Sequence, residues 1–348
     1  MRRNEIEEAL RTAIRAGAYP AGTRIPSRRS LLTEFQVSPV TLQAALDHLA
    51  EQGYVVPRGR HGTFVTDLPP NLTRYALVFP DQPGKGQWNR FWSVIHREGL
   101  GWRDGRERSF IPYFCTEGDP DSPDHLRLRS DVADGRLAGL LFATPPWYLE
   151  GSPILGHDIP RVFMGNDPQD TTRFSASGLS FGESDGILQR VFQAFHAAGC
   201  RRIAGLIDIH QADQWPAYVQ EAQRAGLASQ RNWWIGLPTH HGGSTSAQAV
   251  ARLLLDRSPQ DRPDALFIGD DNLVPHATAG VQDLELRVPG DLTVIAHANF
   301  PNPTPAAVPC GRFGIDAVEL LGAGLDELDR LKTARDRRLV QVGTSLRL

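Results

Sequence analysis

The sequence predicts an N-terminal winged helix-turn-helix domain of the α+β class, followed by an α/β domain of two lobes with doubly wound parallel sheets. Two helical patterns joined by a short turn precede a hairpin with a basic, glycine-rich tip. Apolar runs then alternate with amphipathic stretches. The length of 348 residues exceeds the roughly 250 to 300 at which one hydrophobic core stops growing. We predict a first domain at 1–68, a linker at 69–74 and the two-lobe domain at 75–348.

Composition excludes several classes of protein. Hydrophobic residues make up 41% and charged residues 22% of the chain, as in ordinary globular proteins. The apolar runs fall far short of the roughly 20 residues that a membrane helix needs, and the N-terminus lacks the apolar core of a signal peptide. We therefore expect a cytoplasmic protein with no membrane partner. Three widely separated cysteines argue against a disulfide framework or a CxxC metal site.

The first predicted helix spans the apolar positions from Ile6 to Ile14, which recur at helical spacing. Asn4 precedes them as a candidate N-cap, with Glu7 as its capping-box partner. We expect the helix to end near Gly17.

Two further helices follow at close spacing. Ser27 is the expected N-cap of a helix over residues 28–35. Ser38 caps the next helix, with Pro39 at its first position, and this helix runs up to Gly53. The second helix of such a pair presents its N-terminal residues to the major groove of DNA.

A hairpin completes the predicted wing, with strands at 54–56 and 63–65 and a basic loop between them. Arg58 and Arg60 in this loop can reach phosphates or a minor groove. Residues 1–69 contain nine arginines and seven acidic residues, a net charge of +2, whereas the remainder carries a net charge of −5. The small surplus is compatible with DNA binding but does not establish it alone.

Four segments of the first domain carry a family signature, at residues 25–29, 37–46, 49–55 and 59–65. They resemble the GntR-type winged helix, and the resemblance implies contacts with operator DNA. Pro39 and Gln43 depart from the family, which usually has arginine at the first position and often at the second. Gln43 can read adenine instead of guanine. The predicted DNA-contacting residues are Arg28, Arg29, Ser38, Pro39, Thr41, Gln43, Arg58, Arg60 and His61.

The larger domain shows the rhythm of strands and helices that builds parallel sheets. Predicted buried strands lie at 75–79, 137–143, 161–164, 202–207, 265–268 and 292–296. Predicted helices lie at 186–198, 215–225, 246–255 and 272–284. Ligands of such folds bind outside the carboxyl ends of the strands.

The C-terminal half resembles the LacI-type sensor domain, which is similar to periplasmic sugar-binding proteins. Residues 185, 196–204, 262–271 and 286–295 carry the resemblance. It implies a ligand between the lobes, with Asp271 at the position of the family's ligand-contacting Asp. The family's sugar-clamping Arg, expected after the strand that ends at Asp208, is replaced by the segment that starts at Trp215.

Polar and aromatic residues at the predicted strand ends form the expected effector site, which suits a sugar or a related polar metabolite. These residues are Asp81, Trp147, Asn166, Asp208, Trp215, Asp271 and Asn299. Alternatives stay open at three positions. Asp271 would equally suit a cap for a helix that begins at Asn272, and the two tryptophans would equally suit a core or an interface.

No cofactor or metal site is predicted. His240 and His241 are adjacent in an extended segment, where neighbouring side chains point apart. Asp119, Asp121 and Asp124 are spaced as in a calcium loop, but prolines interrupt the pattern and its Gly and terminal Glu are absent, which favours a solvated turn.

Three classes of function are compared. The first is a ligand-responsive transcription regulator, by resemblance a repressor, that binds an inverted-repeat operator as a homodimer. The second is an enzyme, above all a winged helix fused to a pyridoxal-phosphate enzyme. That chemistry needs a lysine in mid-domain, whereas the lysines are Lys85 and Lys332 alone, and no GxSxG, P-loop or HExxH motif is present. The third is a winged helix that docks another protein, an alternative that the changes at Pro39 and Gln43 leave open. The first is our prediction.

Overall fold

The computed structural model describes residues 2–67, 69–85, 88–115, 119–181, 186–239 and 243–348. The winged helix contains helices α1 (Arg3–Arg15), α2 (Arg28–Phe35) and α3 (Pro39–Glu51) and strands β1 (Val55–Pro57) and β2 (Thr63–Val65), which pair antiparallel. Both predicted serine caps are confirmed. Ser27 accepts the N–H of Ser30 at 3.2 Å, and Ser38 accepts that of Thr41 at 3.1 Å.

The start of α1 differs from the prediction. The helix begins at Arg3, and the backbone N–H of Arg2 donates to Glu5 at 2.8 Å, so Asn4 and Glu7 are not the capping pair. Glu7 is instead buried and lies 2.8 Å from Nδ1 of His48 on α3. The spacing of apolar residues could not reveal that Glu7 is buried between α1 and α3, because this contact depends on how the two helices pack.

The larger domain continues with helices and strands in alternation. They are α4 (Pro70–Thr73), β3 (Arg74–Phe79), α5 (Arg90–Leu100), β4 (Ser109–Phe114), α6 (Pro123–Ala133), β5 (Gly139–Phe142), β6 (Arg161–Met164), α7 (Pro168–Arg173), β7 (Ser177–Ser180), α8 (Ile187–Ala197), β8 (Ile203–Asp208), α9 (Trp215–Arg224), β9 (Trp234–Leu237), α10 (Ser246–Leu255), β10 (Ala265–Ile268), α11 (Val274–Gln282), β11 (Thr293–Phe300), β12 (Gly311–Asp316), α12 (Ala317–Leu331), β13 (Leu339–Gln341) and β14 (Thr344–Arg347). All six predicted strands and all four predicted helices appear. The predicted linker 69–74 consists of Pro69, which is the N-cap of α4, then α4 itself and the first residue of β3. The division of the chain at 68 and 75 stays a prediction.

Two six-stranded sheets form the two predicted lobes. Lobe 1 has the strand order β13-β7-β6-β5-β3-β4, and all of its strands are parallel. Lobe 2 has the order β14-β12-β11-β10-β8-β9, in which β14 alone is antiparallel to its neighbour. The strand orders show that the chain passes between the lobes after β7, after β12 and after β13.

Helix α12 ties the C-terminal part of the chain to lobe 1. Its apolar face, which includes Leu321 and Leu325, packs in the same buried cluster as Leu77 and Leu141 of lobe 1. Burial of this face against the sheet provides most of its stabilisation.

A buried carboxylate adds a polar anchor to α12. Glu327 is 3% exposed, and it accepts from Ser177 of β7 at 2.7 Å, from Arg330 at 2.7 Å and from Arg338 at 2.9 Å. Burial raises the pKa of Glu327, but the hydrogen bonds from these partners outweigh it and lower the pKa below its ordinary value.

The winged helix rests directly on lobe 1. Tyr54 is fully buried, and its hydroxyl donates to the carbonyl oxygen of Gly135, between α6 and β5. Burial raises the pKa of Tyr54 to about 12, so the hydroxyl stays protonated and remains a donor. Arg15 of α1 also lies against Gly135. The winged helix is thereby joined to lobe 1 just beyond the end of α3.

No helix in the described ranges combines the length and the apolar character needed to cross a bilayer.

Candidate functional site

The predicted DNA-contacting residues lie on the solvent-facing side of the winged helix. Arg28 and Arg29 at the start of α2 are exposed, as are Arg58, Arg60 and His61 in the wing. None of the four guanidinium groups forms a salt bridge with a described residue. They are therefore available to DNA phosphates.

The N-terminus of α3 presents a short polar and apolar surface. Ser38 and Pro39 are exposed, and the hydroxyl groups of Ser38 and Thr41 lie 2.8 Å apart. Val40 lies between them in the sequence and is 79% exposed. An apolar side chain at this place suits the methyl group of thymine. Val40 is one of the N-terminal residues of α3 that the sequence predicts to face the major groove.

Gln43 is held in a defined orientation. Its amide nitrogen donates one hydrogen to Oδ1 of Asp47, one turn further along α3, at 2.6 Å. The second N–H and the carbonyl oxygen stay available, and these are the two groups with which glutamine binds adenine.

A further arginine, which is not among the predicted DNA contacts, lies beside the wing. The backbone of Arg24 forms an isolated β-bridge with Phe64 of β2. The Arg24 side chain packs against Gly62, where any Cβ would lie only 2.5 Å from Nε of Arg24. Gly62 has a φ of +104°, so glycine satisfies both constraints. Arg58 lies over the Phe64 ring, with its guanidinium carbon 4.7 Å from the centroid. Arg24 joins the wing only through the fold, which sequence spacing cannot show.

A cleft of about 890 Å³ lies between the two lobes. Lobe 1 contributes Asn89, Phe91, Trp92, Asn166 and Phe181, and the polar lining of lobe 2 includes Asp208, His210, Gln211, Asp270, Asp271, Asn272, His297 and Asn299. Most of these residues lie at or just beyond the carboxyl ends of parallel strands, where ligands of such sheets bind. Of the seven predicted effector residues, the structure brings together Asn166, Asp208, Asp271 and Asn299.

Asp271 forms the floor of the cleft. It is 2% exposed and accepts from the amide nitrogen of Asn299 at 2.7 Å and from the hydroxyl of Thr304 at 3.4 Å. Asp271 does not cap the following helix, because α11 begins at Val274 with Leu273 as its N-cap and no side-chain cap. The neighbouring Asp270 accepts the backbone N–H of Asn272 at 2.8 Å. The carboxylate of Asp271 thus faces across to β11.

Two further carboxylates lie on the same wall. Asp208, at the end of β8, accepts the N–H of His210 at 2.7 Å and the hydroxyl of Thr239. Burial, followed by the neighbouring carboxylate of Asp271, raises the pKa of Asp270.

Phenylalanine residues form the aromatic walls of the cleft. Phe91 and Phe181 of lobe 1 lie with ring centroids 5.6 Å apart, and Phe313 of lobe 2 stacks on Phe267 at 5.2 Å. Sequence reasoning missed these rings because three of them do not follow a predicted strand and Phe267 lies within one.

Three predicted effector residues lie outside the lining of this cleft. Asp81 is buried at the end of β3 and accepts the N–H of Gln82 at 2.7 Å. Trp147 is 50% exposed and packs against Tyr148 on another side of lobe 1. Trp215 packs against a hydrophobic cluster of lobe 2, as the alternative interpretation expected. A strand end fixes the position of the backbone, but the direction of the side chain depends on the loop that follows.

One strand boundary also needs correction. Residues 297–300 were expected to follow the sixth predicted strand, but β11 continues to Phe300. Asn299 therefore projects into the cleft from a strand, which fixes its position more firmly than a loop would.

Of the two metal-like patterns, only the aspartates lie in the part of the chain that the structure describes. His240 and His241 lie outside the described residues. Asp124 belongs to α6 and accepts the N–H of Phe114 at 2.8 Å, while Asp119 accepts the N–H of Asp121 at 3.0 Å in a turn. Within the described ranges, no group of three or more acidic, His or Cys side chains is arranged to hold a metal ion.

This combination of a winged helix and a two-lobe parallel fold defines the class of protein. The family model described as "Bacterial regulatory proteins, gntR family" matches residues 2–65, and the "Periplasmic binding protein-like domain" model matches residues 192–346. The chain belongs to the gntR family of bacterial regulatory proteins. Its sensor has the LacI-type, periplasmic-binding-protein-like fold.

Individual relatives agree with this assignment. The HTH-type transcriptional regulator Rv1152 of Mycobacterium tuberculosis is 40% identical over 81 residues, which are 23% of this chain and 67% of that protein. The arabinose metabolism transcriptional repressor of Geobacillus stearothermophilus is 20% identical over 356 residues, which cover 91% of this chain and 89% of that one. The chain spans about a quarter of the length of several other regulators that it matches.

A solved structure shows the same sensor fold. A LacI family transcriptional regulator from Lactobacillus casei, with bound glucose, superposes with a TM-score of 0.56 at 19% identity. The match covers 79% of this chain and 98% of that one.

Proposed function

We propose that the protein is a transcription repressor that binds an inverted-repeat operator as a homodimer and responds to a small polar effector in the cleft. One observation carries the proposal. A winged helix whose exposed arginines on α2 and in the wing form no salt bridge with a described residue is hydrogen-bonded through Tyr54 to one lobe of a two-lobe domain, and the cleft of that domain has a polar floor.

The winged helix supplies both components of DNA recognition. Arg24, Arg28, Arg29, Arg58 and Arg60 bind phosphates and fix the position of the domain on the duplex. Residues on α3 then contact base edges in the major groove, where Val40 meets a thymine methyl and Gln43 meets an adenine.

The cleft holds an effector of the sugar class or a similar polar metabolite. Its volume suits a small ligand, and its polar floor between aromatic walls is the usual arrangement for orienting such a molecule. The glucose in the Lactobacillus casei regulator and the name of the arabinose repressor support this class of effector, and the second name supports repression.

Effector binding acts through closure of the lobes. A ligand that contacts both walls binds the closed form better and shifts the population towards it. Because Tyr54 bonds to Gly135 of lobe 1, a rotation of that lobe repositions the end of α3. In a dimer the two reading helices must match half-sites about 34 to 36 Å apart, so a small rotation changes operator affinity.

Selection from randomised duplex DNA tests this function. The purified protein is incubated with the pool at about 150 mM salt, with and without a bacterial metabolite extract, and the retained DNA is sequenced. An enriched inverted repeat supports a dimeric regulator, whereas a single enriched half-site contradicts the dimer. No enrichment under either condition contradicts DNA reading and favours a winged helix that docks a protein.

A further inference from the structure

The cleft carries acidic side chains without a lysine or an arginine to balance them. Asp208, Asp270 and Asp271 line it, and the basic side chains among its described lining residues are His210 and His297. None of the three carboxylates forms a salt bridge with a described residue. All lysines and arginines of the chain lie in the described ranges, so the deficit does not depend on the residues outside them.

A buried acceptor in the same wall lacks a donor. The Asn299 side chain is 2% exposed and lines the cleft. A carboxylate only accepts hydrogen bonds, so the amide nitrogen of Asn299 must face Asp271, where it lies at 2.7 Å. This orientation leaves Oδ1 of Asn299 without a hydrogen-bond partner. A buried carbonyl oxygen is costly to leave unpaired, which points to a donor supplied by a ligand.

The opposite wall offers aromatic faces. Phe91 and Phe181 of lobe 1 lie 5.6 Å apart between centroids, with their planes inclined at 36°. The face of a phenyl ring attracts a cation and also packs against the apolar face of a sugar ring. Acceptors on one wall and ring faces on the other favour a ligand that donates hydrogen bonds and carries positive charge.

We propose that the effector carries a protonated amine, whose ammonium group binds between Asp270, Asp271 and Asn299. The remainder of the molecule, a small polar frame such as an aminated sugar or polyol, lies against Phe91 and Phe181. The inference rests on the proposed effector-sensing function and narrows its ligand class. Carboxylate and phosphate ligands are excluded because they would enter a wall of like charge with no arginine or lysine to pair with them.

The surroundings of the two adjacent carboxylates agree with a cationic ligand. Burial and mutual repulsion raise the pKa of Asp270, and an ammonium group between the carboxylates would relieve that repulsion. Arg312 donates to the carbonyl oxygen of Thr304 at 2.7 Å and is not among the residues that line the cleft. It therefore does not take the place of the ligand cation.

Fractionated metabolites test the charge of the effector. A bacterial metabolite extract is separated by ion exchange into cationic, neutral and anionic fractions, and thermal unfolding of the full chain without DNA is measured with each. We expect the cationic fraction to raise Tm by about 2 °C or more. The cationic fraction should act on the Asp256→Asn control, which removes an exposed carboxylate of lobe 2, but not on Asp271→Asn.

The outcomes separate this inference from the function on which it rests. A rise in Tm with the neutral or anionic fraction alone contradicts the amine and leaves effector sensing intact. No rise with any fraction contradicts effector sensing itself. If Asp271→Asn fails to fold, Asp270→Asn replaces it, since asparagine retains an oxygen for the N–H of Asn272. An undiminished rise in a folded variant of either residue contradicts the proposed ammonium site.

Discussion

Replacing Arg58 and Arg60 together by alanine should weaken DNA binding about equally on all sequences and flatten its salt dependence. Each phosphate contact contributes about 0.9 to the slope of log affinity against log salt concentration. Five exposed arginines in each winged helix give a slope of about −9 for a dimer, and loss of the two wing arginines reduces it to about −5.4. Between about 50 and 200 mM salt, the wild type should then lose about 10⁵-fold in affinity and the variant about 10³-fold.

Fluorescence anisotropy with the selected operator measures these slopes at four salt concentrations. Arg257→Ala, which removes an exposed arginine from lobe 2, is the control and should keep the wild-type slope. A double variant with an unchanged slope would place the wing away from the phosphates. A changed base preference would instead show that the wing reads bases, and either result would refute the phosphate role.

Three further predictions concern single contacts. Gln43→Ala should relax the preference at one base pair of each half-site by about 1 to 3 kcal/mol. Asp47→Ala should have a weaker effect on the same preference, because the Gln43 amide remains but loses the hydrogen bond that orients it. Competition with single-base operator variants measures both, and unchanged preference would place Gln43 outside the groove. Tyr54→Phe should lower the free energy of unfolding by about 1 kcal/mol. It should also reduce the effector-induced change in operator affinity. An effector-induced change of the same size in the wild type and the variant would show that this hydrogen bond does not couple the domains. Glu327→Gln should lower the free energy of unfolding by about 2 kcal/mol at neutral pH, relative to the exposed control Glu319→Gln. Because folding lowers the pKa of Glu327 below 4.5, its contribution is complete well above that pH and is lost as pH falls through the folded-state pKa. Urea unfolding at neutral and acidic pH should show that the stability difference between the wild type and Glu327→Gln becomes smaller as the pH falls. A stability difference that does not depend on pH would argue against a charged Glu327.

Local signals account for the parts of the fold that the sequence predicted. Ser27 and Ser38 cap their helices through neighbouring backbone groups, and the central strands are continuous apolar runs, so a short window suffices for both. Strand β12 lacks such a run because Arg312 and two glycines interrupt it. A Cβ on Gly314 would lie 2.0 Å from the carbonyl oxygen of Ala298, so close strand pairing requires this glycine. That requirement is visible only once both strands are in place.

The cleft residues show the same contrast between positions set by local sequence and positions set by the tertiary fold. Asp271 and Asn299 were accessible to prediction because they belong to segments where strands end. Phe91 and Phe181 come from elements of lobe 1 that meet lobe 2 only through the tertiary fold. Trp147 was selected for its position after a strand, but its side chain packs elsewhere on lobe 1.

The central claim is that ligand binding in the cleft changes the affinity for operator DNA. The most direct test measures the operator Kd, at fixed salt, with and without the metabolite fraction that stabilises the protein. Our account predicts a change of about 5- to 150-fold in the wild type and no change in Asp271→Asn, which should bind the operator as tightly as the unliganded wild type. An unchanged Kd in the wild type, under conditions in which the fraction still raises Tm, would show that the cleft binds a ligand without controlling DNA binding.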